Sequence, residues 1–368
     1  NELCYTKHSL LGAFLGFYLT EQLGFNSITS NIVYRIIHSH HSSFHKNKDL
    51  LQLDSNKLSI LRTQYNDIIK HDESQEIIDF ISENINCPLP NLKDFNEITK
   101  ETGFIANKII NFLTTDEFGS NNNETDYYSW LYFFLLSALN RADKYNASFN
   151  SAYDMENSNH TIFSKTLSPS LIEKHLANKK SSSKTPSSPI ISSLRDDFFL
   201  KVKNNANSLD LNHHLYPIFA PTGIGKTLSL LNTAIIMQNM LKEDKKQNYK
   251  IIYGLPFLSI IDQVSEEITD ILQLANYEIN WNIFQEYHHL STPKVSSEEQ
   301  EEEQYKQDNI QLLSSFWDSQ IILTTFVSLL ETISDSKQSI KLASLARSII
   351  IIDEVQSIDA GLYEYVKW

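Results

Sequence analysis

The stretch Ala220-Pro-Thr-Gly-Ile-Gly-Lys-Thr227 follows a short apolar segment and precedes a long amphipathic one. A glycine-rich turn between a strand and a helix is typical of phosphate binding, because backbone N–H groups and the amino end of the helix point at the phosphates. The alternative is a chance match in an ordinary strand-to-helix turn. We predict a loop that binds ATP and Mg²⁺ and comprises Ala220, Pro221, Thr222, Gly223, Ile224, Gly225, Lys226 and Thr227.

A second motif lies downstream, where the apolar run 349–352 ends in Asp353 and Glu354. A carboxylate at the carboxyl end of a parallel strand faces the ligand crevice. In this arrangement Asp353 holds the magnesium ion through water, Glu354 polarises the attacking water, and Lys226 contacts the β- and γ-phosphates. We predict these three residues to be catalytic; the alternative is a strand capped by solvated acids.

The surrounding pattern predicts the fold of each half of the chain. Apolar segments at residues 10–23, 31–41 and 127–145, with a polar helical stretch between the last two, predict an all-helical domain over residues 1–150. Residues 151–191 combine a helix with a Ser/Lys/Pro-rich linker, whose composition suggests the domain boundary. From residue 192 to 368, short apolar strands alternate with helices, which predicts an α/β domain with a mainly parallel sheet covered on both faces. The strand candidates are residues 215–219, 250–255, 320–324 and 347–352.

Composition excludes some classes of protein. The chain of 368 residues has a formal net charge of -14, which argues against a uniformly basic nucleic-acid surface but is compatible with a local basic track. Its two cysteines, Cys4 and Cys87, have no metal-ligand spacing and are expected to be reduced. Reduced cysteines suit a cytoplasmic protein. No apolar run is long enough to span a membrane, so we expect no membrane partner. Because the sequence begins at Asn1 and stops at Trp368, we expect a fragment.

Two further turns complete a helicase-like order of motifs. Residues 254–263 and 324–326 follow strand candidates, at places where backbone amides and hydroxyls can hold nucleic-acid phosphates. Either segment could also be an ordinary turn. With the phosphate loop and Asp353-Glu354-Val355-Gln356, the order resembles the first motor domain of superfamily 2 helicases. Gln356 stands where that family more often has His or Asp.

The first domain contains a set of candidate metal ligands: His8, His38, His40, His41 and Asp143. Imidazole and carboxylate groups bind transition metals, and a pair of such ions can activate water for phosphodiester cleavage. Spacing alone does not distinguish metal ligands from ordinary surface histidines, because the chain has 12 histidines.

The whole order resembles the nuclease–helicase of type I CRISPR systems, in which an HD-type metal nuclease precedes a superfamily 2 helicase. The likeness is carried by the helicase motifs and by residues 7–13, 36–42, 136–145 and 287–289. The resemblance implies an all-α HD-type domain followed by a RecA-like P-loop domain. It implies that His8, His40, His41 and Asp143 bind a divalent transition metal (Fe, Mn, Ni, Co or Zn), with His38 incidental or supporting.

The same resemblance implies an ATP-dependent enzyme of CRISPR antiviral defence. A guide-RNA surveillance complex would recruit it to the displaced strand, and the enzyme would then translocate 3′ to 5′ on that single-stranded DNA and cut it. The family's His-Asp pair and second motor domain would lie outside residues 1–368, so we expect this chain to be incomplete for both activities. Two alternatives stay open: a superfamily 2 DNA or RNA helicase with a non-catalytic helical front domain, and an HD-type nucleotide phosphohydrolase with a regulatory ATP domain.

Overall fold

The computed structural model describes residues 8–40, 55–71, 73–84, 87–89, 91–102, 122–148, 166–182, 188–277, 279–280, 282–287, 315–334 and 339–357. The chain forms two compact units, Asn1–Lys144 and Tyr145–Trp368. The Ser/Lys/Pro-rich segment at residues 179–189, where we expected the boundary, therefore falls within the second unit.

All the secondary-structure elements described in the first unit are helices, as the sequence predicts. Helices α1 and α2 approach closely because α1 carries glycine at the contact: a Cβ on Gly16 would lie 2.6 Å from Ile37 Cδ1 and 3.0 Å from Val33 Cγ1. Aromatic residues such as Phe14 and Tyr65 fill the core beside them. The helices are α1 (His8–Gln22), α2 (Ser27–Ser39), α3 (Ser55–Ile68), α4 (Glu73–Asn84), α5 (Phe95–Thr102) and α6 (Asn122–Ser148).

The second unit is built on a parallel sheet of four strands in the order β2-β3-β1-β4. Its strands are β1 (Lys250–Leu255), β2 (Phe284–Tyr287), β3 (Ile321–Thr325) and β4 (Ser348–Ile352). Its α-helices are α7 (Leu171–Ser182), α8 (Pro189–Ala206), α9 (Lys226–Lys245), α10 (Leu258–Leu274), α11 (Phe326–Ser334) and α12 (Leu342–Leu345). The predicted α/β domain with a mainly parallel sheet is confirmed.

Alternation along the strands divides the core of this unit into two layers. Ile251 and Tyr253 of β1 face a layer that also contains Leu167 and Ile235, whereas Ile252 faces a smaller layer containing Trp317. Successive strand side chains point to opposite faces, so a sheet buried on both faces needs near-continuous apolar strands. The strands β1, β3 and β4 have that composition.

One strand prediction is wrong and one strand escaped prediction. Residues 215–219 form no strand: Leu215 is 85% exposed and Phe219 is 91% exposed, and no neighbouring chain among the described residues pairs with them. Apolar composition alone does not make a strand, because a strand needs a ladder partner. The unpredicted β2 contains Gln285 and Glu286 and pairs with β3 alone, so it lacks the apolar run of a central strand. Among the described residues, no helix is long and apolar enough to cross a membrane.

Candidate nucleotide-binding site

The loop before α9 has the backbone conformation that phosphate cradles require. Gly223 and Gly225 have φ angles of +77° and +97°, in the left-handed region that favours glycine. A Cβ built on either residue meets no atom within 4 Å, so the constraint on these positions is conformational. Helix α9 begins at Lys226, and the first N–H groups of a helix have no carbonyl partner within it. The loop therefore presents free donors and a positive helix end to an anion.

The two acids directly follow β4 at the carboxyl edge of the sheet. Asp353 is 6% exposed, and its N–H donates to the Gly254 carbonyl at 3.2 Å, which extends the β1–β4 ladder by one residue. Its Oδ1 accepts a hydrogen bond from Glu354 N–H at 2.9 Å. Glu354 has a φ of 53°, a strained conformation for a residue with a Cβ. Such strain persists where surrounding structure enforces it, and it turns the Glu354 side chain out of the strand direction.

The structure brings both predicted motifs into direct contact. Lys226 Nζ donates to Glu354 Oε1 at 2.8 Å, and Thr227 Oγ1 lies 3.4 Å from Asp353 Oδ2. The hydrogen bond from Lys226 holds the pKa of Glu354 below its usual range, with a smaller contribution from the amide of Gln356. Glu354 is therefore ionised at neutral pH.

The donor set fits a nucleoside triphosphate with magnesium. The Thr227 hydroxyl and the Asp353 carboxylate are hard oxygen ligands of the kind that Mg²⁺ prefers. The Lys226 ammonium and the free N–H groups of the loop suit phosphate oxygens. When bound, the magnesium ion supplies charge neutralisation on the phosphates.

Two contacts at this site escaped the sequence prediction. The Tyr253 hydroxyl donates to Asp353 Oδ2 at 2.9 Å, and Arg195 Nε of α8 donates to the Gly223 carbonyl at 3.0 Å. The available signal for Tyr253 was a hydroxyl-bearing residue within an otherwise apolar strand. No local pattern marks Arg195, because its contact joins residues 28 positions apart.

The two turn segments predicted to face nucleic acid lie at the same sheet edge as the acids, because β1, β3 and β4 are parallel. Thr325 Oγ1 accepts a hydrogen bond from Ser328 N–H at 3.1 Å and so caps α11. Thr324 is fully buried, which removes its side chain from any phosphate contact in this arrangement. His288 and His289, beyond the end of β2, lie outside the described residues.

The predicted metal ligands of the first unit are not assembled among the described residues. His40 follows α2 and its Nδ1 lies against the Ile37 carbonyl, while Asp143 is an exposed residue of α6. His8 begins α1, and His41 lies outside the described residues. Within the described part of the chain, no group of three or more His, Cys, Asp or Glu side chains could hold a metal ion. Cys87 is a free thiol, and Cys4 falls outside the described part.

Residues 202–365 match the family model described as DEAD/DEAH box helicase. This region is therefore similar to the DEAD/DEAH box helicases. It contains the loop, the acids and both turn segments, so the motif order and the fold agree with the family. The match supports the predicted ATP-dependent helicase.

One curated relative is similar to part of this chain. The chain is 31% identical over 144 residues to a CRISPR-associated nuclease/helicase Cas3 of Haloferax volcanii. The aligned segment covers 38% of this chain and 15% of that relative. The resemblance to the CRISPR nuclease–helicases is thereby confirmed at the level of a Cas3-type helicase.

Proposed function

We propose that the helicase domain couples ATP hydrolysis to movement along single-stranded DNA within a CRISPR antiviral assembly. The observation that carries this proposal is the junction of Lys226 and Thr227 with Asp353 and Glu354, within hydrogen-bonding reach across 126 and 128 residues of chain. This junction supports Lys226 as the phosphate ligand, Thr227 and Asp353 as the magnesium ligands, and Glu354 as the base that orients water. The similarity to the CRISPR-associated nuclease/helicase of Haloferax volcanii supports the CRISPR context.

The geometry suggests how the lysine and the glutamate exchange partners. In the structure, the Lys226 ammonium neutralises Glu354. Phosphate oxygens carry more negative charge than one carboxylate, so Lys226 would turn to them when they are present. Glu354 would then be ionised and released, and it could accept a proton from a neighbouring water.

The DNA track of this proposal is the carboxyl edge of the sheet. Turns 254–263 and 324–326 lie there, beside the ATP residues, and their backbone donors can hold phosphates without reading sequence. The formal net charge of -14 gives the whole chain no general attraction to DNA. Recruitment by a guide-RNA surveillance complex is therefore part of the proposal.

We further propose that the helical unit contributes a metal-dependent nuclease site with His8, His40, His41 and Asp143. Support comes from the pairing of α2 with α6. Asn26, which caps α2, donates to the Tyr128 hydroxyl at 3.5 Å, and Ile36 and Leu136 share a core cluster farther along. The two helices therefore run in the same direction. His40 follows Asn26 by 14 residues and Asp143 follows Tyr128 by 15, so both occupy the same end of the pair.

Titration with fluorescently labelled ATP in Mg²⁺ tests the motor assignment. The chain should bind the nucleotide saturably, and Lys226→Ala should weaken binding by about tenfold or more, because a charge-assisted contact is lost. Lys245→Ala removes an exposed lysine from the far end of the same helix and should leave affinity unchanged. Equal affinities of the Lys226 variant and the parent would refute the site.

Metal analysis and substrate choice test the nuclease assignment. The parent chain should retain a transition metal after dialysis, and the double variant His40→Ala, His41→Ala should lose it. His213→Ala, at an exposed histidine of the second unit, is the control. Unchanged metal content in the double variant would refute the proposed set of metal ligands. Rapid hydrolysis of free nucleotides without cutting of single-stranded DNA would instead favour the phosphohydrolase alternative.

A further inference from the structure

Tyr253 places a phenol inside the sheet beside the nucleotide site. It lies on β1 with a fully buried side chain, and its ladder partner on β4 is Ile351, two residues before Asp353. A buried tyrosine hydroxyl needs a hydrogen-bond partner, because burial removes its hydrogen bonds to water and nothing replaces them in an unpaired group. The partner in this case is the carboxylate of Asp353.

Both oxygens of this carboxylate are held from different directions. Oδ2 accepts the Tyr253 hydroxyl at 2.9 Å, and Oδ1 accepts the Glu354 N–H at 2.9 Å. Thr227 Oγ1 also approaches Oδ2, but at the longer distance of 3.4 Å. The two shorter contacts determine the plane of the carboxylate, and the threonine contact is the weakest of the three.

Tyr253 can act only as a donor to this carboxylate. A phenol has one O–H to donate, while Asp353, as a carboxylate, offers acceptors alone. Because Tyr253 is packed in the core layer with Ile251 and Leu255, its hydroxyl cannot swing away.

We propose that Tyr253 is a positioning residue for the magnesium ligand Asp353. It fixes Oδ2 from the neighbouring strand, so that Thr227 can leave the carboxylate and turn its hydroxyl to the metal without loss of the Asp353 orientation. This inference rests on the proposed ATP site. Hydrogen bonds from outside a metal site that orient its ligands commonly change metal affinity by about 10- to 100-fold when removed.

Tyr253→Phe removes the hydroxyl and keeps the ring, and Tyr249→Phe is the matched control. Tyr249 immediately precedes β1, at the end of the strand remote from Asp353. Labelled ATP is titrated with the full chain in EDTA and at increasing Mg²⁺ concentrations. In Tyr253→Phe the half-saturating Mg²⁺ concentration should rise about tenfold, while affinity in EDTA stays within about twofold of the parent. Tyr249→Phe should match the parent in both conditions.

The outcomes separate this inference from the proposed function. A Mg²⁺ midpoint in Tyr253→Phe equal to that of the parent overturns the positioning role, because removal of a hydroxyl with a purely structural role leaves the midpoint unchanged. Failure of the parent chain to bind labelled ATP at all overturns the proposed ATP site instead.

A second measurement does not depend on the folding of the phenylalanine variant. Residue-specific incorporation of 3-fluorotyrosine at position 253 or 249 gives one ¹⁹F resonance for each labelled chain. With ATP present, added Mg²⁺ should shift the resonance at position 253 with the midpoint seen in nucleotide binding, and should leave the resonance at position 249 in place. If the resonance at position 253 does not shift when Mg²⁺ is added, the proposal is contradicted.

Discussion

Lys226 Nζ donates to Glu354 Oε1 at 2.8 Å, so the lysine of the phosphate loop and the second acid after β4 neutralise each other. The two side chains are 17% and 27% exposed, which leaves the pair accessible to an incoming anion. An ion pair at such a partly exposed position contributes modest free energy, about 1 kcal/mol or less. It is therefore weak enough for phosphate to displace.

Glu354→Gln should bind ATP more tightly than the parent chain. The substitution removes the charge that competes with phosphate for Lys226, and the loss of a competing pair worth at most about 1 kcal/mol corresponds to roughly fivefold in affinity. Labelled-nucleotide titration at low salt measures the change, and added salt should diminish it. Glu266→Gln, at an exposed position of α10, is the charge-matched control. Weaker binding by Glu354→Gln than by this control would show that Glu354 supports the nucleotide rather than competes with it.

Replacing either glycine of the phosphate loop should damage binding more than it damages the fold. At Gly225, with φ +97°, alanine costs about 1–2 kcal/mol of conformational strain. If the loop relieves that strain by changing shape, its N–H groups no longer converge on phosphate. Gly24, with φ +78°, lies in the first unit and also meets open space. Gly24→Ala should therefore cost similar stability in thermal melts and leave nucleotide affinity unchanged, whereas Gly225→Ala should lower that affinity.

The contact between the loop and Asp353-Glu354 could be predicted from the sequence better than the framework around them. The loop and Asp353-Glu354 carry their chemistry in contiguous residues, and their strand-to-helix context is local. By contrast, the edge strand β2 contains Gln285 and Glu286 and is stabilised by its ladder to β3. Residues 215–219 have the composition of a strand and no partner among the described residues. Tyr253 matters because of the register between β1 and β4, which is a tertiary property.

The Glu267 cluster should make the second unit sensitive to acid. Glu267 Oε1 lies 2.6 Å from His175 Nε2 and 2.5 Å from Lys179 Nζ, which links α10 to α7. Burial alone would raise the pKa of Glu267, but the hydrogen bonds from Lys179 and His175 outweigh it, so the pKa lies below the usual value.

A carboxyl group whose pKa is lower in the folded state stabilises the fold above its unfolded pKa of about 4.3. That contribution is lost as pH falls through the lower folded pKa. Glu267→Gln should therefore reduce the free energy of unfolding by about 2 kcal/mol near pH 7, and the difference from the parent should shrink below about pH 4. Urea denaturation at several pH values measures it, with Glu266→Gln as the control. A difference that stays constant down to acid pH would contradict the ionic origin.

The boundary between the units can be tested by truncating side chains on either side of the Ser/Lys/Pro-rich segment. Leu167 is fully buried in the core layer of the second unit, and its backbone N–H donates a hydrogen bond to Gln238 Oε1 at 3.2 Å. Leu167→Ala should lower the free energy of unfolding of the second unit by about 2–5 kcal/mol, because it leaves a cavity. Ile190, on α8 after the segment, is 73% exposed, and Ile190→Ala should change stability by less than about 0.5 kcal/mol. If both variants changed the free energy of unfolding equally little, residue 167 would not belong to the core of the second unit. The boundary would then lie at the segment itself.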